Sequence, residues 1–262
     1  MLTKALHYIR FVLKGVTKYN IHSPFVHSFV QSIIDDNQDY YNYLPIEQLR
    51  GILLNQKQKL ILKDFGAGSN FHQSKTISIG KLTKHVQSSK SKGQLLFRIT
   101  NYFQPDKILE FGTSLGLSTA YLAAANKNTK VITVEADSNV ASIAKNNFKK
   151  LKLNNVKVMI NQFDNVLEEL SDDHFELVFF DGNHTKAATL KYFNWAKKNT
   201  TENSIFIFDD IYWSKEMNEA WNIICDDSKV SLTIDLFSIG IVFFIPKNQK
   251  EHFKLIHQVN FF

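Results

Sequence analysis

The residues best suited to bind a ligand follow a short β-rich run, KILEFG at 107–112. Gly112 and Gly116 bracket a polar turn, and an alanine-rich helical pattern starts directly after it at Ser118. Glycines allow a tight turn and a close approach of the backbone to a ligand, and the first N–H groups of a helix bind carboxylate or ribose groups. The pattern therefore predicts a ligand site at the end of this run.

A glycine turn alone is also typical of simple strand-to-helix packing, so this interpretation depends on a second residue. Glu135 ends the next β-rich run, VITVEA at 131–136, and lies 19 residues after Gly116. A carboxylate in that position accepts hydrogen bonds from both hydroxyls of a ribose. The two features together favour a ribose-containing ligand over a purely structural turn.

Acidic side chains end two later β-rich runs, at 176–182 and 204–210. They are Asp181, Asp209 and Asp210. Carboxylates that share a cleft repel one another unless they are protonated, hydrogen-bonded or paired with a cation such as Mg²⁺. Two interpretations stay open here: a magnesium site, or aspartates that cap helices or contact another ligand.

His184, three residues after Asp181, is a candidate general base. An imidazole accepts a proton near neutral pH, and a neighbouring carboxylate would increase its basicity. The alternative is that His184 only bonds Asp181 or a backbone carbonyl, and the sequence does not separate the two. His22, in the segment IHSPF, could approach a site as well, but a buried or capping histidine is the simpler interpretation.

The elements that must position these residues alternate regularly from residue 94 onwards. Five β-rich runs are separated by helical patterns or polar connections, and they lie at 107–112, 131–136, 156–161, 176–182 and 204–210. Two further runs, VSLTIDLF and GIVFFI, have almost nothing between them and must pair as a hairpin. We predict an α/β fold with a doubly wound, seven-stranded sheet of five parallel strands plus a C-terminal antiparallel hairpin.

The chain before residue 92 has a mainly helical pattern. Apolar residues in 2–16 recur at helical spacing with lysines and an arginine between them, which predicts a basic amphipathic helix. Ser23 followed by Pro24 predicts the start of a second helix, and 46–55 resembles a third. We therefore predict a helical region at 1–91 that caps a main domain at 92–262.

A second glycine turn, in LILKDFGAGSNF at 60–71, superficially resembles the first one. No alanine- or leucine-rich helical pattern follows Gly66 and Gly68, so a structured loop is the favoured interpretation. The boundary between the two regions is expected in the KSKG stretch that ends at Gly93.

Composition narrows the class of protein. The chain of 262 residues is 44% hydrophobic, which is enough for a full core, and its single cysteine, Cys225, excludes an internal disulfide. With no signal-peptide pattern and no apolar run of transmembrane length, a cytoplasmic protein is expected. The net charge of +6 is thinly spread, so nucleic acid is an unlikely partner, although weak membrane-surface binding of the first helix stays an alternative.

Five motifs in order resemble class I S-adenosylmethionine-dependent methyltransferases, above all the O-methyltransferases of catechol and caffeoyl-CoA type. The resemblance covers residues 92–245, about the last two thirds of the chain. The motifs are GQLLFRI (93–99), LEFGTSLGLS (109–118), VEAD (134–137), FDGNHTK (180–186) and DDIYW (209–213). The resemblance implies an S-adenosylmethionine-dependent methyltransferase that methylates a hydroxyl of a small molecule.

The resemblance also implies roles for single residues. The implied cofactor-binding residues are Glu110, Gly112, Thr113, Ser114, Gly116, Ser118, Glu135, Asp164 and Asp181. His184 stands where the catechol-type enzymes carry a lysine, which makes it and Asp181 the implied catalytic residues. The metal-dependent members use two Asp and one Asn; here Asp181, Asp209 and Asp210 would be the set, and Phe163 replaces a family glycine before Asp164.

Several alternatives remain at this point. An oxidoreductase is disfavoured because the turn is not G-x-G-x-x-G and because the chain ends in a hairpin, whereas a methyltransferase-like scaffold without catalysis, or a methyltransferase of RNA or another acceptor, stays open. Most aromatic residues of such a Phe-rich chain belong to the core. Those that could instead shape an acceptor pocket are Tyr40, Tyr41, Tyr43, Tyr212 and Trp213.

Overall fold

A computed structural model describes residues 2–63, 74–86 and 89–256. The helices are α1 (Leu2–Lys14), α2 (Pro24–Phe29), α3 (Tyr43–Leu54), α4 (Ile79–Val86), α5 (Lys90–Phe103), α6 (Leu117–Ala125), α7 (Ser138–Lys150), α8 (Phe163–Glu169), α9 (Lys186–Ala196) and α10 (Lys215–Asp226). The strands are β1 (Lys59–Lys63), β2 (Ser74–Ser78), β3 (Lys107–Phe111), β4 (Lys130–Glu135), β5 (Val156–Ile160), β6 (Leu177–Phe180), β7 (Ile205–Asp209), β8 (Leu232–Asp235), β9 (Ile239–Phe243) and β10 (Glu251–Lys254).

The chain forms two compact units, one of residues 36–172 and one that joins residues 1–35 to residues 173–262. In the first unit β3, β4 and β5 are parallel, with Leu109 opposite Ile132 and Val131 opposite Val156. Their residues are largely buried, as expected for strands that helices cover on both faces. The predicted parallel arrangement of these three runs is confirmed.

Helix α5 begins four residues earlier than the pattern at 94–103 predicted. Ser89 caps it by accepting a hydrogen bond from the backbone N–H of Lys92 at 3.2 Å. Gly93 therefore lies inside the helix, where an added Cβ would be 2.4 Å from the ring of Tyr121 in α6. This glycine serves close helix packing; the predicted boundary at residue 92 stays a prediction.

An antiparallel pair, β1 and β2, also belongs to this unit, with Ile61 opposite Thr76. The strand predicted from residue 60 is thus present. The second glycine turn, with Gly66 and Gly68, lies outside the described residues.

The second unit contains the other strands. Strands β6 and β7 are parallel, with Phe180 opposite Phe208, and β9 runs antiparallel to both β7 and β8. The predicted C-terminal hairpin is therefore confirmed. Strand β10 was not predicted; it pairs parallel to β8, with His252 opposite Thr233, and adds to the seven predicted strands. Its sequence, EHFK, has neither the length nor the β-branched residues of a typical strand.

The N-terminal helices of this unit agree with their patterns. Phe11 of α1 is buried against Phe237, with ring centroids 5.5 Å apart, while Arg10 and Lys14 are exposed. Helix α2 starts at Pro24 as predicted, although Ser23 makes no side-chain cap bond. Within the described residues, no helix is both long enough and apolar enough to cross a bilayer.

Candidate cofactor turn and acidic strand ends

The turn after β3 has a backbone that ordinary side chains rarely adopt. Gly112 and Gly116 have φ angles of 107° and 83°, and Ser114 between them has a φ of 46°. At Gly116 an added Cβ would lie 2.5 Å from the Phe148 ring in α7. The N–H groups of Gly112 and Thr113 both donate to the carbonyl of Val134 in β4, each at 3.1 Å, so the turn is tied to the neighbouring strand.

Glu135, at the end of β4, is held against this turn. One carboxylate oxygen accepts a hydrogen bond from the backbone N–H of Ser114 at 2.9 Å, and the other accepts one from that of Asp137 at 3.0 Å. Burial raises the pKa of Glu135, and the two backbone donors partly offset that rise. A carboxylate has about four acceptor positions, so two remain for ribose hydroxyls, as its predicted role requires.

Glu110 is the centre of a buried polar cluster under the turn. It is fully buried and accepts hydrogen bonds from the hydroxyls of Ser118 and Thr133, each at 2.6 Å, and from that of Thr119. Burial raises the pKa of Glu110 to about 7, against the lowering effect of these hydroxyl groups. Thr113 joins the cluster through a hydroxyl contact of 2.6 Å with Thr133.

The structure thus brings Glu110, Thr113 and Ser118 together, but their side chains point at one another inside the unit. Direct contact of these three side chains with a cofactor stays a prediction. Thr119 and Thr133 complete the cluster and were missed; a threonine in the middle of the otherwise apolar run VITVE was the available signal. What the cluster does is fix β3, β4 and the start of α6 relative to one another.

Asp164 lies in the first turn of α8 and is exposed. The preceding Phe163 packs edge-on against Phe111, the last residue of β3, with ring centroids 5.4 Å apart. The residue that replaces the family glycine is therefore an anchor for α8. The contact of Asp164 with an adenine stays a prediction.

The acidic residues of the second unit occupy the ends of two adjacent parallel strands, as predicted. Asp209 ends β7 and is buried, with only 4% of its surface exposed; it accepts a hydrogen bond from the N–H of Asp210 at 2.9 Å. Asp210 has a left-handed φ of 52°, and its N–H also donates to the carbonyl of Ser238 at 2.7 Å. Asp181 follows β6 directly and is partly exposed.

These aspartates do not form a ready-made metal site. Over the described ranges of the chain, no group of three or more His, Cys, Asp or Glu side chains has an arrangement that could hold a metal ion. The three residues Asp181, Asp209 and Asp210 therefore do not fit the set of ligands that the resemblance implied. The metal remains a prediction without support from this arrangement.

His184 lies beside Asp181, with 3.8 Å between its Nε2 and a carboxylate oxygen of Asp181. That distance is too long for a hydrogen bond but allows an electrostatic interaction when the imidazole is protonated. Both side chains are partly exposed, at 29% and 19%. The loop that carries them turns at Asn183, which has a φ of 51°, and Thr185 then caps α9 through the N–H of Ala188.

Two aromatic candidates behave differently. Tyr212 is buried, stacks on Phe237 at 4.9 Å and donates its hydroxyl hydrogen bond to Asp235 at 2.7 Å. Lys254 of β10 bonds both Tyr212 and Asp235, at 2.6 and 2.9 Å, so Tyr212 has a structural role. Trp213 is 63% exposed.

The tyrosines near α3 also separate. Tyr40 and Tyr43 pack on Phe97, with ring centroids about 5 Å apart, and belong to the core of the unit of residues 36–172. Tyr41 is 83% exposed. His22 is exposed as well, in the second unit.

Comparison with known proteins agrees with this geometry. Residues 109–211 match a methyltransferase domain family. A catechol O-methyltransferase of Niastella koreensis is 28% identical over 131 residues, which are 48% of this chain and 58% of that protein. One of Mycobacterium tuberculosis is 27% identical over 128 residues, again 48% of this chain and 57% of that protein. The chain thus spans little more than half the length of these curated relatives.

Solved structures show the fold. An O-methyltransferase of Bacillus cereus in complex with SAH is 20% identical, with a TM-score of 0.56 over 84% of this chain and 97% of that one. The SAH-bound methyltransferase PaMTH1 of Podospora anserina is 14% identical, with a TM-score of 0.60 over 86% and 98%. The shared architecture is a mixed sheet of mostly parallel strands with antiparallel C-terminal strands, plus N-terminal helices. The chain is therefore a member of the S-adenosylmethionine-dependent O-methyltransferases of catechol and caffeoyl-CoA type, and its methyltransferase domain includes residues 109–211.

Proposed function

We propose that this protein transfers the methyl group of S-adenosylmethionine to a hydroxyl oxygen of a small-molecule acceptor. The observation that carries the proposal is the turn between β3 and α6, with its left-handed Gly112, Ser114 and Gly116, held against the Glu135 carboxylate. Such a turn offers backbone N–H groups, and Glu135 offers acceptors for hydroxyls. The names of the two catechol O-methyltransferase relatives support a hydroxyl acceptor.

The residues present suit the cofactor. Glu135 would hold the ribose hydroxyls, the backbone of Gly112 to Ser114 would bind the methionine end, and Asp164 and Asp181 would complete the contacts. The cofactor supplies an electrophilic methyl group on a sulfonium. Glu110 has a positioning role, because its hydrogen bonds with Ser118, Thr119 and Thr133 fix the turn that has to bind it.

The second requirement of the reaction is removal of a proton from the acceptor hydroxyl. We assign that role to His184, because it is partly exposed and lies 3.8 Å from the Asp181 carboxylate, which would stabilise the imidazolium once it forms. The protein otherwise aligns the hydroxyl oxygen with the methyl group, since alignment supplies much of the rate of such a displacement. Selection of the acceptor is assigned to the predicted helical region at 1–91.

Location and partners follow the same proposal. A cytoplasmic protein that acts on a small molecule agrees with the absence of any bilayer-spanning helix among the described residues. Burial raises the pKa of the Cys225 thiol to about 12, so this cysteine is not a reactive thiolate. Binding to nucleic acid or to a membrane surface is not needed for the proposed reaction.

The test is methyl transfer itself. The protein is incubated with methyl-labelled S-adenosylmethionine and a panel of small hydroxyl acceptors that includes catechol, and labelled product is separated and counted. Transfer to at least one acceptor, lost in Glu135→Ala and kept in Glu169→Ala, supports the proposal; Glu169 is an exposed glutamate of α8 and serves as the matched control. Cofactor binding without transfer to any acceptor would favour the scaffold interpretation.

The role of a metal is decided in the same assay. Because the three aspartates do not form a metal site, we expect full transfer in excess chelator. If the chelator abolishes transfer and Mg²⁺ restores it, a metal takes part. In that case Asp210→Asn should keep activity, because an amide oxygen still binds the ion, whereas Asp181→Ala should lose most of the rate.

A further inference from the structure

A cavity of about 620 Å³ opens on the unit of residues 36–172. Pockets that hold small molecules commonly have volumes of about 300–1,000 Å³, so the size suits a ligand. It is lined by Tyr41, Asn42, Pro45, Ile46, Ala124, Lys127, Leu151, Lys152, Leu153, Asn154 and Asn155.

This cavity lies at the edge of the sheet opposite to the cofactor turn. The turn follows the carboxyl end of β3, whereas Ala124 and Lys127 come just before the amino end of β4, at the far end of α6. The nine residues of α6 separate the two edges by about 13 Å. A ligand here would not occupy the proposed cofactor site.

The walls of the cavity are fixed by side-chain amides. Asn42, before α3, donates to the carbonyl of Ala124 at 2.7 Å. Asn155, before β5, donates to three carbonyls, those of Ala123, Asn126 and Thr129, at 3.0, 3.2 and 2.9 Å. These bonds join α3, the end of α6 and the loop before β5, so the cavity is preformed.

The floor is apolar, and the charges around it have one sign. Ile46 is buried in the core, and Ala124, Leu151 and Leu153 pack partly buried against that core. Lys127 and Lys152 are both exposed, and no acidic residue is among those that line the cavity. The backbone of Lys152 is held in a left-handed conformation, with a φ of 56° and its N–H bonded to the carbonyl of Lys149.

We propose that this cavity binds an anionic small molecule, one with an aromatic or aliphatic body and a carboxylate, sulfonate or phosphate group. The body would cover the apolar floor, where its burial is favourable, and the anionic group would meet the two ammonium groups. The inference is independent of the proposed methyl transfer, because it rests on a separate cavity.

The probe is 8-anilinonaphthalene-1-sulfonate, which joins an aromatic body to one sulfonate and fluoresces more strongly in an apolar site. We expect one probe to bind per chain. N-phenyl-1-naphthylamine, which has the same aromatic body without the charge, should bind at least tenfold more weakly. Saturating S-adenosylhomocysteine should leave the affinity of the sulfonate unchanged.

The double variant Lys127→Gln/Lys152→Gln should weaken binding of the sulfonate at least tenfold and leave that of the neutral amine within a factor of about two. The matched control is Lys145→Gln/Lys157→Gln, which removes the same charge from two exposed lysines that do not line the cavity. All four lysines are exposed, so both variants should keep the melting temperature of the wild type.

Three results would overturn the proposal. One is the lack of single-site binding by the wild type, another is equal loss in the control variant, and the third is displacement of the probe by S-adenosylhomocysteine. The last would place the probe in the cofactor site. Because the readout is binding, failure here leaves the proposed methyl transfer untouched, and failure of methyl transfer leaves this test valid.

Discussion

The ends of β3 and β4 and the ends of β6 and β7 both carry carboxylates, but the two sets are held in different ways. Glu110 and Glu135 are fixed by hydroxyl and backbone donors within hydrogen-bond distance. Asp181 and His184 are partly exposed and 3.8 Å apart. The first pair is already organised by the protein, whereas the second has room to move toward a reacting group.

The difference agrees with the two tasks that we assign. A cofactor that binds in every cycle is held best by groups that need no rearrangement, because ordering them on binding would lower the affinity. A general base has to accept a proton from the acceptor, and its hydrogen bonds commonly tighten only once the acceptor is present. Variants of the two regions should therefore fail differently, the first in cofactor affinity and the second in rate.

The largest expected effect is that of Gly112→Val. A β-branched residue at a φ of 107° is strained, and its side chain would fill the approach to the backbone of the turn. We expect the affinity for S-adenosylhomocysteine, measured by calorimetry, to fall at least 100-fold.

Two glycine controls go with this variant. Gly51→Val in α3 should keep the affinity, because a Cβ at that position meets nothing within 4 Å. Gly66→Val, outside the described residues, should also spare binding. Loss of affinity in Gly66→Val but not in Gly112→Val would move the cofactor to the second glycine turn.

His184→Ala should act on the rate and not on the cofactor. Loss of a general base costs about 100- to 10,000-fold in kcat. We expect that loss with an unchanged affinity for S-adenosylhomocysteine, and we expect His174→Gln, at an exposed histidine, to keep its activity. If His184→Ala retains wild-type kcat on a hydroxyl acceptor, His184 is not the base and the comparison between the two regions fails.

Glu135→Ala should weaken S-adenosylmethionine binding about 10- to 100-fold, since it removes charge-assisted bonds worth about 1.5–3 kcal/mol. Calorimetry measures the effect, with Glu169→Ala as the control. A folded Glu135→Ala protein with wild-type affinity would show that this carboxylate does not hold the ribose.

The smallest effect concerns stability and pH. Burial raises the pKa of Glu110 to about 7 from its usual 4.5, so the folded state binds a proton that the unfolded state releases between these values. The stabilising contribution is complete below about pH 4.5 and is lost as the pH rises through 7; between pH 5 and 8 the loss is about 2 kcal/mol.

Denaturant unfolding of the wild type and of Glu110→Gln at the two pH values checks this. The variant should show a smaller decrease in unfolding free energy from pH 5 to pH 8. Glu135, whose pKa is also raised, adds a contribution of the same sign to both proteins. An equal decrease in both proteins would mean that Glu110 does not titrate in this range.

Sequence patterns predicted the elements better than the contacts. The parallel strands and the hairpin were correct because buried strands give continuous apolar runs, and the turn at Gly112 and Gly116 was correct because few residue types tolerate its backbone. Strand β10 was missed because its short polar run EHFK gives no such signal.

The inward direction of Glu110 and the burial of Tyr212 were beyond the sequence for a different reason. Each depends on partners that are distant in the chain: Thr133 in one case, and Asp235 and Lys254 in the other. The metal prediction met the same limit, since spacing places Asp181 and Asp209 on adjacent strands but does not orient their carboxylates.

The central claim is that the turn after β3 and Glu135 form an S-adenosylmethionine site. The most direct test is calorimetric titration of the wild-type protein with S-adenosylmethionine and, separately, with NADH. We predict saturable binding of one S-adenosylmethionine per chain and no binding of NADH. Binding of NADH in place of S-adenosylmethionine, or of neither, would contradict the account.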